Sequence, residues 1–406
     1  MLILLAVLGT APVQGPVLGD LTPTSVQIWM RLDAPGEAAV NLYDPAGAKV
    51  WHTSVQADAE TDNTAIAELT ALTPDTRYTY VIDGEHEPEW FFTTPARHAT
   101  HTRLAFASCA KEAEGSGRVW NRINSLKPDG LVLLGDTPYI DSTDLDVQRR
   151  RYRAFAAFAP FAKLASHTAV YSTWDDHDFG RNDTDGRLDG KANSRRAVME
   201  YRPNPSFGEH DTGIYTSFRS GPVDVFLLDA RWFARTEGTD GDWSLLGAQQ
   251  WAWLERSLKA STASFKLIAT GMVFNNSVRP GKYDCWGAYR QEYDRLRTLI
   301  DDIDGVVLVS GDVHWSRELE HDPGNRVDSA HWPLVEFVTS PVHEHLIAAA
   351  DPPHPWLRWS RGEVNSFLVL DADEHALRMS FMNAAGDVLH NRVLRLPQRA
   401  RHPHPE

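Results

Sequence analysis

The sequence predicts an α/β protein in which a layered β-sandwich core flanked by helices follows a small all-β sandwich. Three observations carry this reading. Short alternating strands, separated by Pro, Gly, Asp and Asn clusters, fill the first 96 residues. Beyond residue 102, apolar runs alternate with stretches of helical spacing, the pattern of a layered α/β core. Between them, residues 93 to 102 form a linker rich in Thr, Pro, Arg and His. A chain of 406 residues exceeds what one sheet core usually supports, so two domains are expected, residues 1–96 and 97–406.

In the first domain the expected strands are Ser25 to Met30, Ala39 to Leu42, Thr76 to Ile82 and Glu89 to Phe92. One segment is more specific. Leu72-Thr73-Pro74-Asp75-Thr76-Arg77-Tyr78 reads Leu-x-Pro-x-Thr-x-Tyr and resembles the corner of fibronectin-type-III-like sandwiches. That resemblance implies a Tyr78 hydroxyl hydrogen-bonded back to the preceding loop. In the second domain the strands are Leu104 to Ala107, Leu131 to Leu134, Ala169 to Thr173, Val223 to Leu228, Phe265 to Thr270, Val306 to Ser310 and Leu334 to Thr339. Trp251 to Leu258 and Tyr293 to Ile300 have helical spacing.

Hydrophobic residues at 42% and charged residues at 23% are ordinary for a folded protein. The formal charge of -15 argues against a nucleic-acid backbone as partner, because binding a polyphosphate needs a basic stripe. Two cysteines, Cys109 and Cys285, exclude a disulfide scaffold and leave room for a single bridge. The start, Met1 to Leu8, resembles the apolar part of a secretory signal, yet no Lys or Arg precedes Arg31, and a buried first strand fits equally well. No other apolar run approaches the roughly 20 residues of a membrane helix.

The chemistry gathers at strand ends, where rigid backbone meets loops that expose side chains. Leu104 to Ala107 runs into Ser108-Cys109, and Leu131 to Leu134 into Gly135-Asp136-Thr137-Pro138-Tyr139. Val170 to Thr173 runs into Trp174-Asp175-Asp176-His177-Asp178, and Val306 to Val309 into Ser310-Gly311-Asp312-Val313-His314. Carboxylate oxygens suit Ca²⁺, Mg²⁺ or Fe³⁺, while imidazole and thiolate suit transition metals. Asp136 could bridge two ions, and two close cations would clamp a phosphoryl oxygen and acidify a water. Bound cations would also offset the negative charge of the chain.

Gly135-Asp136-x-x-Tyr139, Trp174-Asp175-Asp176-His177-Asp178 and Gly311-Asp312-x-His314, with Ser108-Cys109, resemble the successive blocks of the calcineurin-like metallophosphoesterases, specifically of the PhoD-type alkaline phosphatases. The match spans roughly residues 104 to 345, and an N-terminal sandwich is similar to that family too. The resemblance implies that Cys109, Asp136, Tyr139 and His314 bind one metal, Fe³⁺, and that Asp136 bridges to Ca²⁺. It implies Asp176, Asn182 and Asp312 on the calcium side, Asp175 in support, and His177 as general acid or charge stabiliser. Small-molecule phosphate esters would be the substrates, by in-line attack of a metal-activated water. Together with the apolar start, the resemblance favours a periplasmic or secreted protein.

Many related phosphoesterases add a histidine from the strand before the last block, whereas Ile268 to Asn276 contains none. That departure points to an oxygen-rich second site, which suits calcium better than zinc. His343 and His345 read as loop residues. Two other functions remain open on the residues: a phosphodiesterase or phospholipase-D-like hydrolase, and a non-catalytic calcium-dependent binding protein. Structural calcium needs oxygens and not imidazole, so His177 and His314 count against the last.

Overall fold

The computed structural model describes residues 12–397 other than 86, 88, 89, 237–242, 279–281, 322–331, 363 and 364. The apolar start Met1 to Leu8 lies outside the described residues.

Strands β1 (Pro12–Gly19), β2 (Val26–Leu32) and β5 (Thr64–Leu69) form one antiparallel sheet. Strands β3 (Gly36–Tyr43), β4 (Lys49–Ala57), β6 (Arg77–Ile82) and β7 (Phe91–Thr93) form a second, in the order β4-β3-β6-β7. Alternation sorts their side chains: Ala38, Val40 and Leu42 of β3 are buried with Ile28, Met30, Tyr80 and Phe92 in one core. The backbone N–H of Thr73 donates to Tyr78 Oη at 2.9 Å, the tie back to the loop that the Leu-x-Pro-x-Thr-x-Tyr segment implies. β1 escapes a reading by pattern because Pro12, Gly15 and Pro16 interrupt it, and its pairing to β2 is irregular at two points.

The larger part contains two further sheets. β8 (His101–Ala107), β9 (Gly130–Leu134) and β10 (Ala169–Thr173) are parallel, and β18 (Ser366–Asp373), β19 (Ala376–Asn383) and β20 (Val388–Arg395) extend that sheet antiparallel, in the order β10-β9-β8-β18-β19-β20. The other sheet runs β11 (Thr216–Ser220), β12 (Val223–Leu227), β13 (Phe265–Ala269), β14 (Val306–Ser310), β16 (Val335–Val338), β15 (Ser316–Glu320) and β17 (Leu357–Arg361). Its central pairs β12-β13, β13-β14 and β14-β16 are parallel.

The period of two along each strand decides what it packs against. In β9, Val132 and Leu134 face the other sheet, together with Val307 and Val309 of β14. Leu131 and Leu133 face Trp120 of α1 (Glu114–Leu126), Phe155 of α2 (Leu145–Ala156) and Phe161 of α3 (Ala159–Ala165). Two short helices, α4 (Asp176–Phe179) and α5 (Lys191–Tyr201), complete that side. Val306 and Leu308 of β14 likewise face Trp251 and Leu254 of α6 (Gly247–Ala260) and Leu296 of α7 (Arg290–Ile300). A fully buried Leu or Val contributes about 1.5–3 kcal/mol, so these rows hold four layers together. With both faces covered, the central strands read as continuous apolar runs.

The N-terminal sheets are bonded to this core. Trp29 Nε1 donates to the Glu200 carbonyl at 2.7 Å, and Tyr80 Oη donates to the Ser166 carbonyl at 2.5 Å. The parallel strands β8, β9, β10, β13 and β14 bring their C-terminal ends to one place.

Candidate active site

Four of the reactive side chains leave strand ends on a backbone bent into the left-handed region. Cys109 (φ 53°), Asp136 (φ 53°), Asp312 (φ 66°) and His314 (φ 57°) all have positive φ. Such conformations are uncommon for residues other than glycine and collect where side-chain direction matters more than backbone ease. Gly135 (φ 88°) and Gly271 make room: a Cβ on either would lie 2.5 Å or less from Asp175.

Four groups of possible ligand atoms, each within 4.8 Å of one another, occur among the described residues: Cys109, Asp136 and His314; Asp136, Asp176 and His177; Asp175, Asp176 and Asp312; and Asp176, Asp183 and Asp284. Asp136 belongs to two groups and Asp176 to three, so the groups form one continuous cluster. Cys109 Sγ lies 3.6 Å from Asp136 Oδ2. Burial, then the Asp136 charge, pushes the Cys109 thiol well up, and burial with the neighbouring aspartates pushes Asp136 well up. A thiolate beside an ionised carboxylate therefore requires a cation between them, which is what this donor set would hold.

His314 is prepared as a ligand. Its Nδ1 lies 2.8 Å from the His345 carbonyl, which must accept, so Nδ1 carries the proton and Nε2 presents a lone pair. Nε2 faces Tyr139 Oη at 2.9 Å. Burial lowers the His314 pKa to about 4, so the ring is neutral at pH 7. Ser340 Oγ accepts from the His314 N–H at 3.0 Å and lies 3.2 Å from Cys109 Sγ. The loop that carries His343 and His345 therefore braces the cluster through its backbone.

Asp176 turns one oxygen to the His177 N–H (2.9 Å) and the other to the Asp183 N–H (2.6 Å). Burial would raise its pKa, but Arg231, His177 and Lys282 outweigh that and lower it. Asp175 has one buried oxygen, Oδ2, without a hydrogen-bond partner; its Oδ1 accepts from Arg231 Nε at 2.7 Å. His177 is half-buried at the mouth, with its side chain 21% exposed, and Nδ1 lies 2.5 Å from Asp141 Oδ1. Its ring centroid is 4.7 Å from that of Tyr139.

The structure thus brings together Cys109, Asp136, Tyr139, Asp176, His177, Asp312 and His314. Asn182 sits exposed on the turn after α4, one residue before Asp183. Asp183, Asp284, Arg231 and Lys282 were missed by sequence reading. Arg231 is buried and forks onto Asp284, with Nη1 to Oδ1 at 2.7 Å and Nη2 to Oδ2 at 2.8 Å, while also holding Asp175. Lys282 Nζ is 2.9 Å from Asp312 and 3.2 Å from Asp183. Asp183, Lys282 and Asp284 follow no apolar run; Arg231 does follow Val223 to Leu228, after Asp229 and Ala230, but as a cation it does not read as a metal ligand. Cys109 and Cys285 are both free buried thiols, and the bridge that the sequence left open is not formed.

Two face-to-face sheets whose parallel strand ends carry this carboxylate, imidazole and thiol cluster define a calcineurin-like metallophosphoesterase fold. The chain belongs to the PhoD-like phosphatase family, whose model matches residues 104–367. Alkaline phosphatase D of Bacillus subtilis (strain 168) is 24% identical, over 76% of this chain and 65% of that protein, so the chain spans just under two thirds of this relative's length. The solved structure of PhoD is similar with a TM-score of 0.80 at 19% identity, covering 96% of this chain and 90% of that one. Purple acid phosphatase PPD1 from yellow lupin seeds follows with a TM-score of 0.73 at 16% identity, covering 96% and 75%. At these identities the structural likeness is one of fold.

Burial raises Asp312 to about 6 and Asp178 to about 7, so both hold protons in the folded chain that they lose in the unfolded one. Stability from such groups is present below the unfolded value near 4 and lost as pH rises through the folded value. The metal-free chain is expected to lose stability between about pH 4 and pH 7, measured as urea midpoint; a midpoint that rises with pH would contradict this. Arg231→Met should cost about 3–5 kcal/mol in the same assay, because it strands two buried carboxylates. A loss under about 1 kcal/mol would show that the fork carries little.

Proposed function

We propose that the chain is a phosphoric ester hydrolase of the alkaline-phosphatase type that works through a centre of at least two metal ions. The observation that carries this reading is Asp136, shared between a Cys109/His314 group and an Asp176/His177 group. The donor sets differ in a chemically useful way. Thiol, imidazole and phenol on one side suit iron; carboxylates on the other suit calcium. The unpartnered oxygen of Asp175 and the raised pKa of Cys109 and of Asp136 both fit residues built to face cations.

When bound, such ions would polarise phosphoryl oxygens and acidify a water. The chain's own groups do the rest. Asp141 holds His177 through Nδ1, which turns Nε2 away from Asp141 and leaves it to give a proton to the leaving oxygen or to stabilise charge there. His345 fixes the tautomer of His314 through its carbonyl, and Arg231 holds Asp175 in place behind the cluster.

Turnover of a chromogenic phosphoester should vanish with a chelator and return on adding Fe³⁺ and Ca²⁺; metal-independent turnover would defeat the reading. His177→Ala should lower kcat by about 10²–10⁴ with metal content unchanged. If elemental analysis shows an ion lost instead, His177 is a ligand. Cys109→Ala should remove one ion, and unchanged content would reject the thiolate ligand. Rates on mono- and diesters, both expected to be cleaved, give the preference between them.

A further inference from the structure

On the segment that precedes Cys285, side chains alternate in direction. Lys282 and Asp284 turn inwards, with side chains 9% and 7% exposed, while Tyr283 stands 65% exposed. Lys282 Nζ lies 2.9 Å from both oxygens of Asp312, 3.2 Å from Asp183 Oδ1 and 3.9 Å from Asp284 Oδ2. Asp183 and Asp284, with Asp176, make up the fourth of the candidate ligand groups. An ammonium therefore stands against two members of that group, Asp183 and Asp284, and against Asp312 of the neighbouring group. Asp175, next to it in the cluster, keeps a buried oxygen without a hydrogen-bond partner, which marks carboxylate capacity beyond what the protein's own cations satisfy.

We propose that Lys282 is a built-in cation whose contacts with Asp183, Asp284 and Asp312 close the Asp176, Asp183 and Asp284 position to a divalent ion. The proposal rests on the reading that the remaining groups carry metal. A divalent ion held by those carboxylates would sit beside a fixed ammonium that is itself 9% exposed, and like charges so placed repel. The ammonium needs no ligand concentration and sheds no coordinated water shell when the chain folds. It leaves the Cys109 side and the Asp136 and Asp175 side for metal, and keeps a permanent positive charge beside them. Arg231 meets the same need from behind, clasping both oxygens of Asp284. Tethered guanidinium and ammonium groups thus take the place of one more ion.

The test is a count. The full-length chain is stripped with a chelator, reloaded with iron and then titrated with Ca²⁺ by calorimetry, with Tb³⁺ luminescence as a second reading. Lys282→Met should take one ion more per chain than the unsubstituted protein, and Lys282→Arg the same number. Asp183→Asn, at an exposed position that tolerates the change, should leave the count of the unsubstituted protein as it is and abolish the extra ion of Lys282→Met. Equal counts for Lys282→Met and the unsubstituted protein would overturn the proposal, as would loss of an ion in Asp183→Asn alone. That second arm decides the matter even if Lys282→Met does not fold. If the unsubstituted chain binds ions and only the lysine comparison fails, the phosphoesterase reading stands; if neither chain takes an ion, both readings fall.

Discussion

The constraint on which this structure turns is buried negative charge. Asp136, Asp175, Asp176, Asp178, Asp284 and Asp312 are all buried at one end of two sheets. Ionised carboxylates in such a place are costly unless each meets a cation or a set of donors. The protein answers in three ways. Arg231 and Lys282 supply fixed positive charge, backbone N–H groups of Asp175, His177 and Asp183 supply donors, and the atoms left over form groups that suit metal ions.

The rest of the fold follows from holding that charge still. Parallel strands ending side by side bring Cys109, Asp136, Asp175 and Asp312 from distant parts of the chain into contact, and the apolar rows beneath them are packed on both faces. Left-handed backbone at four of the reactive positions shows that the direction of these side chains outweighs local conformational preference. Gly135 and Gly271 let the strand ends come close enough for the carboxylates to converge.

The fold was legible in the sequence where a strand is buried on both faces. Leu131 to Leu134, Ala169 to Thr173 and Val306 to Ser310 are continuous apolar runs, and each is a strand in full. Strands with one wet face were harder to see. β4 alternates half-buried and exposed residues at a sheet edge, and β20 is mostly exposed or half-buried, so neither has the apolar content that marks a strand. α2 carries many charged residues and α1 many Gly, Ser and Asn residues around narrow apolar faces, which dilutes the periodic signal.

The sequence by itself determined the layered architecture, the four strand-end blocks and the family, because each is a local pattern: an apolar run followed by ligand-bearing residues. The absence of histidine from Ile268 to Asn276 sets the expectation of an oxygen-rich second site. Only the tertiary structure brings Asp183 and Asp284 to the cluster. Asp183 lies in an exposed turn beside Asn182 and Asp284 in a loop beyond β13, and neither ends an apolar run. Arg231 and Lys282 belong to the cluster because charge balance in a closed space drew them there, and that balance exists only once distant strands have been brought together.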